Sequence, residues 1–480
     1  MPDAALDLRA TLDAQRAAAA KAGEPSLAER RAHLSALDAV LSDAADRFHA
    51  AISADFGHRA YPETVLAELV PLRAAIRFAH THLRSWMRPR RAPVGVTFQP
   101  GRAWVEKRPL GCVGIVSPWN YPLFLSVGPL VDALAAGNRA MLKPSEATPR
   151  FAALLRRELA RAFPADRVAV VDGDAAVAQS FTALPFDHLL FTGSTRVGTA
   201  VMHAAADGLV PVTLELGGKS PAIVAPDAPL DRTARTLMVG KLFNAGQTCI
   251  APDYVLVPED RVEAFAAACV ESAAALYPHI ANNDDYSTII STRHLDRLQA
   301  VVEEAKGAGA RVLRDVSHAA EAGDAERSKR MVPTLLLDTP DSVAAMREEI
   351  FGPVLPIVGY RSLPDAIRYV NARPRPLALY AFTDDAATER HILSRTLSGG
   401  ATINGTLLHC AQTALPFGGI GPSGTGTYHG KAGFDRFSHD RGVYRQGRFS
   451  GFTVMAPPHG TLTRLILPLM LGRSDGGKPH

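Results

Sequence analysis

From Gly111 onward the sequence switches repeatedly between two periodicities, and that alternation limits the folds open to the chain. Short apolar runs at 112–116, 140–143, 168–171, 188–191 and 212–214 are separated by stretches with helical spacing at 123–136, 150–162 and 196–206. The pattern predicts an α/β fold built on a doubly wound parallel sheet. Such sheets bind ligands at the carboxyl ends of their strands. The unusual residues fall at those ends: Ser117-Pro118-Trp119-Asn120-Tyr121-Pro122, Lys143-Pro144-Ser145-Glu146, Gly193-Ser194-Thr195-Arg196-Val197-Gly198 and Glu215-Leu216-Gly217-Gly218-Lys219. A second α/β half is expected over 217–428, with strands at 254–257, 334–337, 354–358 and 379–382.

The flanking segments read differently. Residues 1–88 are predicted to be helical and to belong with the first sheet. Ser26-Leu27-Ala28-Glu29 is a capping box, and Leu34, Leu37, Leu41, Ala44, Phe48 and Ile52 then recur at helical spacing until Phe56-Gly57. A second helix is expected over 63–86. Residues 89–109 carry a hairpin signal, with strands at 94–98 and 103–105 around Gln99-Pro100-Gly101. Two strands alone are marginal in water. The hairpin is therefore expected to be an arm that pairs with a second subunit, together with the region 443–452, in a homodimer. The dinucleotide-binding part is expected over 110–216, and residues 429–480 form a C-terminal segment that is partly interface.

Composition excludes several classes. The chain has 480 residues, with 52 basic side chains against 48 acidic ones and a net charge of +4, which does not favour nucleic acid or an anionic membrane. Its four cysteines are far apart and form no CxxC, which points away from zinc and from a disulfide framework and fits a cytoplasmic location. None of the histidines has metal-ligand spacing. The N-terminus has no apolar core of a secretory signal. The apolar tail at 462–471 is interrupted by Arg464 and Pro468, well short of the ~20 residues that span a bilayer. It is expected to be a packed or interfacial segment, and no transmembrane segment is predicted.

The chemistry centres on Asn244-Ala245-Gly246-Gln247-Thr248-Cys249-Ile250-Ala251-Pro252, a turn after a helix expected over 230–243. A thiol in such a turn is either an inert core residue or a nucleophile whose thiolate is favoured by backbone N–H groups. Glu215 ends an apolar strand, where desolvation raises a carboxylate towards the working range of a base. Asn120, between two prolines, is either an ordinary turn residue or a donor to a developing oxyanion. The turn from Gly193 to Gly198 follows a strand and opens a helix, which suits a phosphate, although it is not GxGxxG and such turns are also plain loops. Lys143 and Glu146 form either a surface ion pair or a ribose site, where a carboxylate prefers a 2′-hydroxyl to a 2′-phosphate.

Taken together, these segments resemble the aldehyde dehydrogenases. Phe-Thr-Gly-Ser-Thr at 191–195, Glu-Leu-Gly-Gly-Lys-Ser-Pro at 215–221, Gly-Gln-Thr-Cys at 246–249, Glu-Glu-Ile-Phe-Gly-Pro at 348–353 and Pro-Phe-Gly-Gly-Ile-Gly-Pro-Ser-Gly at 416–424 follow the first two motifs in the family's order. The resemblance covers about 25–440 and is to the class-3-like branch, with Phe56-Gly57-His58, Tyr428-His429-Gly430 and Phe437-Ser438 similar to coniferyl-aldehyde dehydrogenases. Thr406, Cys410 and the tail after Arg445 match no family pattern. The resemblance implies Cys249 as nucleophile, Glu215 as general base and Asn120 in the oxyanion hole. It implies NAD, with NADP as a second possibility, held by Trp119, Lys143, Glu146, Gly193, Ser194, Gly198, Glu349 and Phe351, and no metal. The implied reaction oxidises an aromatic or medium-chain aldehyde to its acid. A CoA-acylating relative and a non-catalytic binding protein are the alternatives.

Overall fold

The computed structural model describes residues 7–95, 98–314, 329–448 and 456–471. Its first sheet has six strands, in the order Gly424–Thr425, Val212–Leu216, His188–Gly193, Cys112–Val116, Arg139–Lys143 and Val168–Val170. All neighbours are parallel except Gly424–Thr425, which runs antiparallel to Val212–Leu216. The chain starts this sheet in the middle and builds outward in both directions. The order reverses between Cys112–Val116 and His188–Gly193, which sets the loops after those two strands side by side. Alternate residues face opposite layers, as a strand requires. Val113 and Ile115 pack with the N-terminal helices and the helix Pro122–Ala136, while Cys112 and Val116 pack with Leu12, Phe181, Phe186 and Val201 on the other face.

The second sheet has seven strands, ordered Arg311–Leu313, Thr334–Leu337, Val354–Tyr360, Tyr254–Pro258, Pro221–Val224, Ala378–Phe382 and Gly400–Ile403. It too is parallel apart from the edge strand Arg311–Leu313. The α/β fold expected from the alternation is present, and the predicted central strands fall within a few residues of their observed ends. The strands Pro221–Val224 and Gly400–Ile403 and the helix Ala175–Thr182 were not anticipated. The last is capped by the Asp174 carboxylate, which accepts from Ala176 and Val177 N–H.

A third, three-stranded antiparallel sheet joins Arg90–Ala92, Arg102–Pro109 and Ser438–Arg445. The arm exists, but its first strand is earlier than the 94–98 expected. Pro93 has no N–H to donate and ends the pairing after Ala92. Val96 and Thr97 lie outside the described residues, as do 449–452 of the predicted interface segment. The single helical run expected up to Phe56 is divided at Ala44 into Leu27–Asp43 and Ala45–Phe56. The helix expected over 63–86 starts at Tyr61 and contains a π-helical turn at Val65–Leu69 before continuing as Val70–Trp86. The C-terminal helix Thr461–Met470 leaves Leu462, Leu465 and Leu467 exposed, while Thr463 is buried and Ile466 half-buried. By length and composition alone, one described stretch, Glu259–Asn282, could cross a membrane. Within it the helix Val262–Leu276 buries Phe265, Ala266, Cys269 and Ala273 in the core.

Candidate active site

The helix Leu230–Leu242 delivers the chain into a buried turn in which Asn244, Ala245 and Gly246 all have positive φ (53°, 51° and 77°). Left-handed backbone is unfavourable for the two non-glycine residues and persists only when the surroundings over-determine it. Here they do. Asn244 N–H donates to Glu63 Oε1 at 2.9 Å, and Asn244 Nδ2 donates to the Asn120 carbonyl at 3.0 Å. Gln247 Nε2 donates to the carbonyls of Asn244 and Thr288, each at 3.0 Å, and its Oε1 accepts from Ile290 N–H at 2.9 Å. A Cβ at Gly246 would collide with the Gly352 carbonyl, so the turn lies directly on the segment that follows Glu349.

This clamped turn presents Cys249, half-buried, to Glu215. The Sγ lies 3.6 Å from Glu215 Oε1 and donates to it. Glu215 is 1% exposed, in the strand Val212–Leu216, and its Oε2 accepts from Tyr428 OH at 2.9 Å and Thr192 Oγ1 at 3.1 Å. Burial raises the Glu215 carboxyl, as expected, while the three donors oppose the rise. The thiol departs from expectation. Burial pushes Cys249 well above its ordinary value, and the Glu215 and Glu349 carboxylates push it further. Burial first, and then acidic side chains contributed by distant segments, oppose the thiolate that the turn's N–H groups would favour.

Asn120 is 2% exposed, and its Nδ2 donates to the Gln247 carbonyl at 3.1 Å, leaving the amide's second N–H uncommitted. Its loop is held from below by a buried ion pair, Arg59 with Glu68 at 3.1 Å. Arg59 also donates to the Asn120 carbonyl at 2.9 Å, and its guanidinium lies 4.8 Å from the Tyr121 ring centroid. Glu68, on the π turn, accepts from Leu123 and Phe124 N–H at 2.7 and 3.0 Å, and so caps the helix Pro122–Ala136. Tyr121 OH and Thr248 Oγ1 are 2.6 Å apart, tying this loop to the cysteine turn.

The residues expected to hold a dinucleotide are spread along the carboxyl edge of the first sheet and beside the cysteine turn. Trp119 packs edge-on to Phe351 with ring centroids 5.4 Å apart, and Phe351 has φ 55°. Glu349 lies close over Gly217, where a Cβ would strike the carboxylate, and its Oε1 is enclosed without a hydrogen-bond partner among the described residues. Burial, with Asp253 nearby, raises its carboxyl to about 8. An enclosed acceptor without a donor suits the hydroxyls of a ribose. Lys143 is buried and donates to the Pro144 carbonyl at 2.8 Å, whereas Glu146 is exposed. Burial lowers the Lys143 ammonium and Glu146 opposes this. Gly193 is half-buried, and Ser194 caps the helix Thr195–Asp207 by accepting from Val197 N–H. Gly198 is buried within that helix, where a Cβ would collide with Leu216, so its contribution is close packing of helix on strand. These residues fit the group at the level of chemistry: an exposed helix N-terminus for phosphate, carboxylates for hydroxyls and aromatic faces for a flat ring. Asn404, also noted in the sequence, bonds Thr383 through both its amide atoms and is a structural brace.

On the other side of Cys249 lies a cavity of about 280 Å³. Leu66, Phe124, Leu125, Val239, Phe243 and Phe417 form much of its wall, and Glu215 and Cys249 stand at one end. Thr406 and Cys410, for which the sequence offered no role, line it as well. Sequence reasoning missed Arg59, Glu63, Glu68, Gln247 and Tyr428 as members of the site. Gln247 and Tyr428 lay inside quoted motifs, and Glu63 and Glu68 are acidic residues within a helix otherwise patterned for burial. Arg59 carried no local signal.

Fold and site together define a class: an α/β enzyme architecture in which a half-buried thiol and a buried carboxylate meet between the nucleotide-type edge of one sheet and an apolar cavity. Comparison with known proteins makes this specific. The aldehyde dehydrogenase family model matches residues 3–443. A relative from Pseudomonas aeruginosa, described as "Probable coniferyl aldehyde dehydrogenase", is 48% identical over 465 residues, covering 97% of this chain and 96% of the relative. The substrate-bound structure of Staphylococcus aureus AldH superposes with a TM-score of 0.89 at 34% identity, covering 96% of this chain and 99% of that one. An aldehyde dehydrogenase from Mycobacterium tuberculosis complexed with NAD+ superposes with a TM-score of 0.82 at 30% identity, over 92% of this chain and 91% of that one. The chain belongs to the aldehyde dehydrogenase family and is an enzyme of that family.

Proposed function

We propose that the protein oxidises an aromatic or medium-chain aldehyde, coniferaldehyde-like in size and polarity, to the carboxylic acid, with NAD favoured over NADP. The observation that carries the reading is the contact of Cys249 Sγ with Glu215 Oε1 at 3.6 Å, at the end of an apolar cavity. The resting thiol is neutral, so its proton must leave as the sulfur attacks the aldehyde carbon, and Glu215 is within reach to accept it. The free N–H of Asn120 supports the oxyanion of the thiohemiacetal formed on Cys249. Bound nicotinamide dinucleotide supplies the hydride acceptor. After that first proton has passed from Glu215 to bulk water, Glu215 takes a second one from the water that cleaves the Cys249 thioester. A buried carboxylate with a raised affinity for protons suits both transfers. A base placed for hydrolysis favours free acid over an acyl-CoA product.

Trp119, Lys143, Glu146, Gly193, Ser194, Gly198, Glu349 and Phe351 form the dinucleotide site in this reading, with Glu146 disfavouring a 2′-phosphate. The substrate assignment is supported by the apolar cavity wall and by the similarity to the Pseudomonas aeruginosa relative described as a probable coniferyl aldehyde dehydrogenase. We read the three-stranded arm sheet as a dimer contact and the four unpaired cysteines as consistent with the cytoplasm. The test is Cys249→Ala. Aldehyde oxidation should fall below detection while nucleotide binding, followed by fluorescence, is retained. Retained turnover would reject the mechanism, and acyl-CoA formation by the unaltered enzyme would reject the hydrolytic half.

A further inference from the structure

Four residues with side-chain oxygens are among those that line the apolar cavity: Tyr121, Glu215, Thr248 and Thr406. Three of them belong to the reacting end. Glu215 faces Cys249, and the hydroxyls of Tyr121 and Thr248 bond each other beside it. Thr406 stands apart, on the loop between the strand Gly400–Ile403 and the short helix Leu408–Ala411. It packs against the helix Leu230–Leu242 at a place opened by Gly240, where a Cβ would collide with its side chain. That opening lets Thr406 Oγ1 donate to the Thr236 carbonyl at 3.2 Å. The residue is 7% exposed.

The direction of this bond matters. A hydroxyl has one proton, and Thr406 has given its own to the helix backbone, so what remains is an acceptor. Within an otherwise apolar wall, an acceptor rewards a ligand that carries a donor. It rewards neither a bare ring nor an ether, and a buried acceptor left without its donor is penalised.

We propose that Thr406 is a specificity-determining residue that accepts a hydrogen bond from a hydroxyl group on the substrate, remote from the aldehyde. The inference rests on the aromatic-aldehyde reading above and adds to it the residue that reads the hydroxyl.

The test compares kcat/KM for cinnamaldehyde, 4-hydroxycinnamaldehyde and 4-methoxycinnamaldehyde, with acetaldehyde as reference, at about pH 6.5, where the phenol is protonated. The readout is the ratio of hydroxylated to unsubstituted substrate, so any general effect of a substitution on the cavity cancels. The unaltered enzyme should favour the phenol by about three- to tenfold, the worth of one neutral hydrogen bond. Thr406→Val should bring the ratio close to one, Thr406→Ser should keep it, and the methyl ether should gain nothing in any variant. A ratio near one in the unaltered enzyme, or a preference that survives Thr406→Val, overturns the role of Thr406 while the aromatic reading stands. If all three cinnamaldehydes react no faster than acetaldehyde, the aromatic reading falls, and this inference falls with it.

Discussion

Replacing Glu68 by alanine should destabilise the protein and displace the loop that carries Asn120. Glu68 and Arg59 are both completely buried, with their nearest charged atoms 3.1 Å apart. Burial raises the Glu68 carboxyl, while Arg59 and the N–H groups of Phe124 and Leu123 oppose the rise. Removing the carboxylate takes away the guanidinium's ion-pair partner and leaves it the Asn120 carbonyl, the Tyr121 and Phe56 rings and the electrostatic influence of buried Glu63. Breaking one side of a buried ion pair costs about 3–5 kcal/mol. The two capped N–H groups lose their acceptor as well, at about 1–3 kcal/mol each if nothing replaces it. These costs share one relaxation and do not add fully, so a total of about 5 kcal/mol is expected for Glu68→Ala. Glu68→Gln keeps an acceptor for the cap and should cost only the charge, about 3 kcal/mol. The double variant Arg59→Met/Glu68→Gln removes the stranded charge and should be more stable than Glu68→Gln alone. Urea unfolding followed by tryptophan fluorescence measures the stabilities, and kcat measured below the transition reports on Asn120. The reasoning is refuted if Glu68→Gln lies within about 1 kcal/mol of the unaltered protein, or if the double variant is no better than the single one.

Four further outcomes follow from the same geometry. Glu215→Gln should slow or abolish the burst of reduced cofactor in stopped flow, because Glu215 takes the thiol proton; an undiminished burst followed by a stall at the thioester would confine Glu215 to hydrolysis. Thioester hydrolysis should rise with pH as Glu215 loses its proton, and Tyr428→Phe, which removes a donor that favours the carboxylate, should move this rise to higher pH in steady-state profiles. Dinucleotide binding should strengthen as pH rises through about 8, because deprotonated Glu349 accepts from ribose hydroxyls with both oxygens and more strongly than the neutral acid, and Glu349→Gln should flatten that dependence in titration calorimetry. The folded, unliganded protein holds this proton more tightly than the unfolded chain does. The contribution to stability is therefore full below the ordinary value of 4.5 and lost as pH rises through about 8, which thermal melts of the same variant would show. Glu146→Ser should improve NADP relative to NAD in kcat/KM, and an unchanged ratio would remove Glu146 from the ribose site.

The central strands were legible because each is a short apolar run buried on both faces, so its signal lies wholly within a few consecutive residues. The strand Cys112–Val116 was read almost to the residue for that reason. Cys249, Glu215 and Asn120 were legible as types of residue at strand ends and in turns, and the family order of the motifs supplied their expected roles. The arm's first strand was misplaced because apolar residues at 94–98 outweighed the proline at 93 in a local reading, whereas pairing depends on which N–H groups can donate to Arg102–Pro109.

What the tertiary structure alone decided is the state of the groups that react. The protonation of Cys249 depends on Glu215 and Glu349, far away in the chain, and on exclusion of water around all of them. The seating of Asn120 depends on Arg59 and Glu68, which meet it only because a π turn in one helix sets a carboxylate under the first turn of another. The acceptor at Thr406 depends on a glycine in a different element. Periodicity is a short-range property that the sequence carries in full. Desolvation and charge proximity are long-range, and they arise only when distant segments close around the same few cubic ångströms.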